Sequence, residues 1–189
     1  MAIKIFIDQG HNPTNPNAGA EGNGYREQDL VYEIGVLLAE LLDNDPNFEA
    51  RLSRNAPDEV LGTSNATSLM TRTDAANEWG ADYFLSLHAN ASSIPTATGV
   101  EGYVFSSDSP AAGLAAVLLR ALSARTGLPD RGYFSRPSLY VLRKTAMPAV
   151  LLELGFITNP SDASLMAEDP ALFAEGIYNG LNEYFGFDS

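Results

Sequence analysis

The chain has 189 residues, 45% hydrophobic and 19% charged, which is the make-up of one soluble globular domain with room for a real core. Twenty-four acidic residues stand against eleven basic ones, and the net charge of −13 argues against nucleic acid and anionic membrane surfaces as partners. There are no cysteines, which excludes a disulfide scaffold, thiolate metal sites and cysteine nucleophiles, and leaves the redox compartment open.

The chain enters directly into a strand pattern, AIKIFID, with a strand expected over residues 3–8. A secretory signal needs a basic start, a longer apolar stretch and a small-residue cleavage site, so none is expected. A long loop of Gly, Asn and Pro follows, carrying His11 and Glu21, and a loop of this length in a compact domain usually has work to do. It feeds a helix over 27–43, with Leu30, Ile34, Leu37, Leu38, Leu41 and Leu42 at helical spacing and Asn44–Asp45–Pro46 as the stop. A strand pattern at 49–54 (EARLSR) gives way to a polar surface loop over 55–65 and a helix over 66–79, closed by Gly80. Strands are expected at 82–88 (DYFLSLH) and 99–105 (GVEGYVF), then a helix over 109–126 with Ser109 as N-cap and Gly127 at its end. Two more strands, 139–142 (LYVL) and 149–154 (AVLLEL), precede a helix over 170–185 that starts at Pro170. Arg120 interrupts the longest apolar run, near 111–119, so no membrane insertion is expected.

No repeat, low-complexity tract or linker divides the chain. Strands alternating with helices predict a single α/β domain over 1–189, with a mostly parallel or mixed sheet of about six strands and helices on both faces. No second domain is expected.

In open α/β sheets, sites gather beyond the carboxyl ends of strands. His11 follows the first strand, His88 closes another with Asn90 just after it, Glu153 ends the apolar AVLLE, and Glu27 opens the helix fed by the loop. Each has an ordinary reading. A histidine at a strand end is more often a hydrogen-bonded structural residue than a ligand, and a first-turn acid such as Glu27 complements the helix dipole. Glu21 could simply solvate the loop. Glu153 is harder to dismiss, because a carboxylate in a buried strand is costly unless it is paired, metal-bound or kept protonated. Together, two histidines, one carboxylate ligand and a second carboxylate nearby are what a catalytic zinc site needs, with an open position for water and a base to take its proton. The spacing is not H-E-x-x-H, so the fold would have to assemble the site.

The segments IFIDQGH, GAEGNGYREQDL, SLHANAS, GVEGYVF and MPAVLLELGFITNPSD, in this order, resemble the zinc-dependent N-acetylmuramoyl-L-alanine amidases of amidase type 3, over about residues 3–185. The resemblance implies one Zn²⁺ per chain held by His11, Glu27 and His88, with Glu153 as the catalytic carboxylate. Glu21 competes with Glu27 as ligand, and Glu27 is preferred because it directly precedes the long helix, as the family's ligand does. Gln9 stands where the family usually has Pro or Ala, and Asn12–Pro13 replaces its usual glycines. Both change the loop without touching a ligand position.

The implied activity is hydrolysis of the amide joining the lactyl group of N-acetylmuramic acid to L-alanine in peptidoglycan. A protein without a signal peptide, made in the cytoplasm, would meet the wall only after release or lysis, and is expected to act as a monomer. The alternatives are a non-metal glycosidase pairing Glu153 with Glu27 or Glu101, which leaves both histidines idle, and a non-catalytic wall- or phosphate-binding module on the Gly-rich loop. That loop lacks both a P-loop ending and G-x-G-x-x-G. Stem-peptide carboxylates call for a cationic contact, for which Arg72 or Arg143 are candidates, unless each makes an ordinary surface ion pair. Glu101 is either a second acid near the cleft or an edge-strand surface group.

Overall fold

Alternation along the first strand decides how the sheet is covered. In β1 (Ile3–Gln9), Ile5 and Ile7 point into one apolar cluster and Phe6 into another on the opposite side. The computed structural model describes residues 1–187. After β1 come a small hairpin of β2 (Glu21–Gly22) and β3 (Tyr25–Arg26), α1 (Glu27–Asp43), β4 (Phe48–Leu52), α2 (Asn65–Trp79) and β5 (Tyr83–Asn90). The chain continues through β6 (Val100–Val104), α3 (Pro110–Thr126), β7 (Asp130–Ser135), α4 (Tyr140–Lys144), β8 (Ala149–Phe156), α5 (Pro160–Glu168) and α6 (Pro170–Phe185).

The main sheet has six strands in the order β4-β1-β5-β8-β6-β7. Four run parallel, β6 is antiparallel to β8, and β7 is parallel to β6. The expected α/β class and mixed six-stranded sheet are what the chain forms. On one face, α6 packs against α1 and α3 over a large cluster that includes Ile34, Leu38, Leu118, Leu122, Phe173 and Ile177. On the other, Ala76 of α2 and Val141 and Leu142 of α4 cover Phe6, Phe84, Ala149 and Leu151. No helix among the described residues is long and apolar enough to cross a membrane.

The helix expected over 27–43 has those bounds, and left-handed Gly80 and Gly127 close α2 and α3. The largest correction is LYVL. The strand expected at 139–142 is instead the start of α4, with Leu139 at its N-cap. Four apolar residues are too few to show a period, and here Val141 and Leu142 both turn into the second cluster. The sixth strand is β7, DRGYFS, an edge strand with four of its six residues exposed and so without an apolar pattern to announce it. Ser109 does occupy the N-cap of α3, yet its hydroxyl donates to the Ser106 carbonyl and caps nothing. The expectation also missed α5, whose cap Asn159 accepts from the Ser161 and Asp162 amides.

Register matters more for function than strand count. Between β5 and β8, His88 lies opposite Glu153, and between β8 and β6, Glu153 lies opposite Glu101. Three ionisable residues therefore form one row across three neighbouring strands.

Candidate metal centre

The row meets two more groups brought by the opening loop. Beyond β1 the chain turns at Gly10 and His11, and His11 adopts a left-handed backbone with φ of 68°. For a residue with a Cβ this conformation costs on the order of 1 kcal/mol, so something must hold it. The Arg72 guanidinium, from α2, is the clamp. It donates to the carbonyls of Gln9 (2.6 Å) and His11 (2.6 Å) and to the Asn12 side chain (3.1 Å). It is paired with Asp8 at 2.7 Å, both side chains being 1% exposed. Burial alone would raise the Asp8 pKa, but the Arg72 charge and hydrogen bond outweigh it and hold the carboxyl below its usual range. The Asn17 carbonyl lies 3.3 Å from His11 Nδ1. A proton on Nδ1 donated there leaves the Nε2 lone pair facing the site.

Glu27 is the first residue of α1, where the helix N-terminus favours a carboxylate. Its Oε2 accepts from the Ala20 amide at 2.9 Å and its Oε1 from the Ala89 amide at 3.1 Å. The same Oε1 lies 3.1 Å from His11 Nε2 and 3.0 Å from His88 Nδ1. Burial pushes the Glu27 pKa up, yet the hydrogen bonds from both histidines prevail and hold it well below the ordinary range. His88 moves the other way: burial lowers its pKa, but the Glu27 contact is stronger and the net shift is upward.

One donor atom from each of His11, Glu27 and His88 lies within 4.8 Å of the others. Ligand atoms about 2.1 Å from a tetrahedral zinc sit roughly 3.4 Å apart, so this donor set and its spacing fit such an ion. Two glycines make room for it. A Cβ on Gly10 would stand 2.6 Å from His88 Cε1 and from the Leu87 carbonyl, and one on Gly19 would stand 2.8 Å from Glu27 Oε2.

Glu153 differs from Glu27 in every respect. Its Oε2 is buried without a hydrogen-bond partner among the described residues. Burial pushes its pKa up to about 7, with Glu27 and Glu101 adding to the rise and His88 opposing it. Such a group can hold or release a proton near neutral pH. Across the strand, Glu101 is committed: it accepts from Arg131 Nε at 3.0 Å and from the Tyr103 hydroxyl. It sits on β6, an interior strand, so the edge-strand reading of Glu101 is corrected.

Glu21 is exposed and lies 4.0 Å from Arg26, away from the three donors. Arg72 is no surface ion pair: it is 1% exposed, paired with Asp8, and lies in the wall of the cavity beside the histidines. Asn90 ends β5, its side chain accepting from the adjacent Ala91 amide. A cavity of about 130 Å³ opens beside the histidines, lined in part by His11, His88, Leu69, Tyr140 and Leu151. A larger hollow of about 520 Å³ lies over the outer side of α1, lined by Asp29, Tyr32 and Glu33 among others, with neither histidine in its lining.

Known proteins share this arrangement of sequence and fold. A family described as N-acetylmuramoyl-L-alanine amidase matches residues 5–183. The sporulation-specific N-acetylmuramoyl-L-alanine amidase of Bacillus subtilis is 36% identical over 97% of this chain and 68% of its own length. An endolysin of Bacillus phage SPP1 is 34% identical over 97% of this chain and 66% of its own. In three dimensions, the catalytic domain of the amidase CwlV from Bacillus (Paenibacillus) polymyxa superposes with a TM-score of 0.85 at 29% identity, covering 98% of this chain and 99% of that one.

Proposed function

The chain belongs to the N-acetylmuramoyl-L-alanine amidase family, and from that premise we propose that it is a zinc amidase of peptidoglycan, cutting between the N-acetylmuramic acid lactyl group and L-alanine. The observation that carries the metal half of this reading is the convergence of His11, Glu27 and His88, with Glu153 nearby, whose Oε2 is buried without a hydrogen-bond partner among the described residues. His11, Glu27 and His88 would hold one zinc ion. When bound, zinc supplies positive charge that polarises the scissile carbonyl and eases ionisation of a water.

The remaining work falls to the chain. Glu153 accepts a proton from the attacking water as the oxygen bonds to the carbonyl carbon. Protonated Glu153 then donates that proton to the alanine nitrogen as the C–N bond breaks, leaving a lactyl carboxylic acid and an amine, and the acid's proton passes on to the amine or to solvent as both leave. A carboxylate whose Oε2 has no hydrogen-bond partner among the described residues is free to take up and return the proton in both steps. Asp8, Arg72 and Asn17 keep His11 in place while this happens. A glycosidase built on Glu153 with Glu27 or Glu101 would leave both histidines without a task.

Metal analysis and wall digestion test the proposal together. About one zinc per chain is expected, with activity lost on prolonged chelation and restored by Zn²⁺. Digested walls should show new alanine amino termini and no new reducing sugar ends. Full lysis by exhaustively metal-free protein, or new reducing ends, would overturn it.

A further inference from the structure

Charge is spread unevenly along the chain. From Arg131 to Leu152 there is no aspartate or glutamate, while Arg131, Arg136, Arg143 and Lys144 fall inside this stretch of a protein of net charge −13. The stretch builds β7, α4 and the first half of β8; β7 lies across β6 from β8, and α4 covers Ala149 and Leu151 of β8 on the thinly covered face of the sheet.

Two of these cations are held in a particular way. The Arg136 guanidinium carbon lies 4.9 Å from the Tyr103 ring centre, and the Tyr103 hydroxyl donates to Glu101, the cross-strand neighbour of Glu153. The Arg143 guanidinium carbon lies 5.9 Å from the Tyr140 ring centre, and Tyr140 lines the cavity shared by His11 and His88. Both arginines are exposed. Stacking on a ring fixes a guanidinium in place but leaves its N–H fork free, and that fork matches a carboxylate. Among the described residues neither arginine pairs with a carboxylate, whereas Arg120, Arg125 and Arg131 pair with Glu183, Glu175 and Glu101.

In a chain of net charge −13, an acidic ligand is drawn to this acid-free stretch. We propose that Arg136 and Arg143 bind the free carboxylates of the substrate's peptide stem and make the enzyme selective for acidic stems over stems whose carboxylates are carboxamides. The inference rests on the amidase reading for its substrate and deepens it. These contacts lie away from the scissile bond and act alike on bound substrate and transition state, so selectivity resides in KM.

The test uses the zinc-loaded full chain and two soluble muramoyl-peptides, one with free stem carboxylates and one with carboxamides. An exposed ion pair is worth up to about fivefold, so wild type should favour the acidic substrate in kcat/KM by about fivefold to tenfold, mostly through KM. In Arg136→Gln with Arg143→Gln that ratio should fall to near one, and Arg136→Lys should keep part of it. Raising salt should shrink the wild-type ratio as well. If wild type turns over both substrates equally, or the double variant keeps the preference, the inference is wrong and the amidase reading stands. A double variant that loses retention on an anionic wall polymer with its acid-to-carboxamide ratio unmoved also overturns it. Failure of zinc-loaded wild type on both substrates removes the amidase reading, and this inference with it.

Discussion

The two faces of the sheet bury their residues on different terms. Under α1, α3 and α6, side chains such as Leu38, Leu118, Phe173 and Ile177 are fully buried and apolar, and each gains by leaving water. Under α2 and α4 the apolar cover is smaller, and the carboxyl ends of β1, β5 and β8 carry Asp8, His88 and Glu153 instead. Buried charge at this end of the sheet survives where it is answered: Asp8 by Arg72 and Ser86, and Glu27, brought in by the start of α1, by two histidines and two backbone amides. Glu153 is the exception. The contrast teaches that the thick face supplies stability and the thin face spends part of it on one carboxylate with an uncommitted proton.

The sharpest break between the faces should come at that carboxylate. Glu153→Gln keeps the side chain's shape and removes its basicity, so kcat should fall on the order of 10²–10⁴-fold with fold and zinc content kept. Stem-release rates set against zinc analysis check this. Glu27→Ala should instead lose zinc first and activity as a consequence. A Glu153→Gln protein that stays active would move the base elsewhere.

Removing the clamp comes next. Arg72→Met leaves Asp8 buried without its counter-charge and frees the His11 and Gln9 carbonyls, which should cost about 3–5 kcal/mol and weaken zinc binding as well. Denaturant titration and a zinc-affinity measurement read the two losses. If stability drops while zinc affinity holds, the clamp serves the fold alone.

On the apolar face, Leu118→Ala opens a cavity where α3 meets α6 at Gly180 and should cost about 2–5 kcal/mol. Here kcat should stay as it was, measured below the unfolding range. An effect on turnover would show the two faces to be coupled.

The smallest effect concerns protons. In metal-free protein the Glu153 pKa stands at about 7 against an ordinary 4.5, so the folded state holds a proton that the unfolded state has released. Stability therefore falls as pH rises from about 5 to about 8, and Glu153→Gln escapes that part of the decline, worth on the order of 2–3 kcal/mol by pH 8. His88, raised chiefly by Glu27 and in part by Glu153, declines in the same direction, so the difference between the two proteins reports Glu153 together with its coupling to His88. Equal slopes would mean that Glu153 is ionised without cost.

Much of this arrangement could be read from the chain. The period of Leu30, Ile34, Leu38 and Leu42 set α1 to its ends, and apolar runs marked β1, β5 and β8, because long amphipathic or fully apolar segments have few ways to hide from water. The two histidines, Glu27 and Glu153 stood out as residue types that strand ends and helix starts do not need for packing. Elements lacking that pressure escaped: β7 is an exposed edge strand, α5 is short, and LYVL had too little length to declare a period.

By itself, then, the sequence determined the layers, the elements with continuous apolar faces and the residues that were chemically out of place. Only the tertiary structure decided their partners. The register that puts His88, Glu153 and Glu101 in one row depends on hydrogen bonds between strands distant in the chain, and a shift of one residue would turn those side chains to the other face. Glu27 rather than Glu21 meets the histidines because the chain returns from the loop at Arg26 and starts its helix there. Arg72 became a clamp, and not a surface cation, because α2 lays it over Asp8, 64 residues away in sequence.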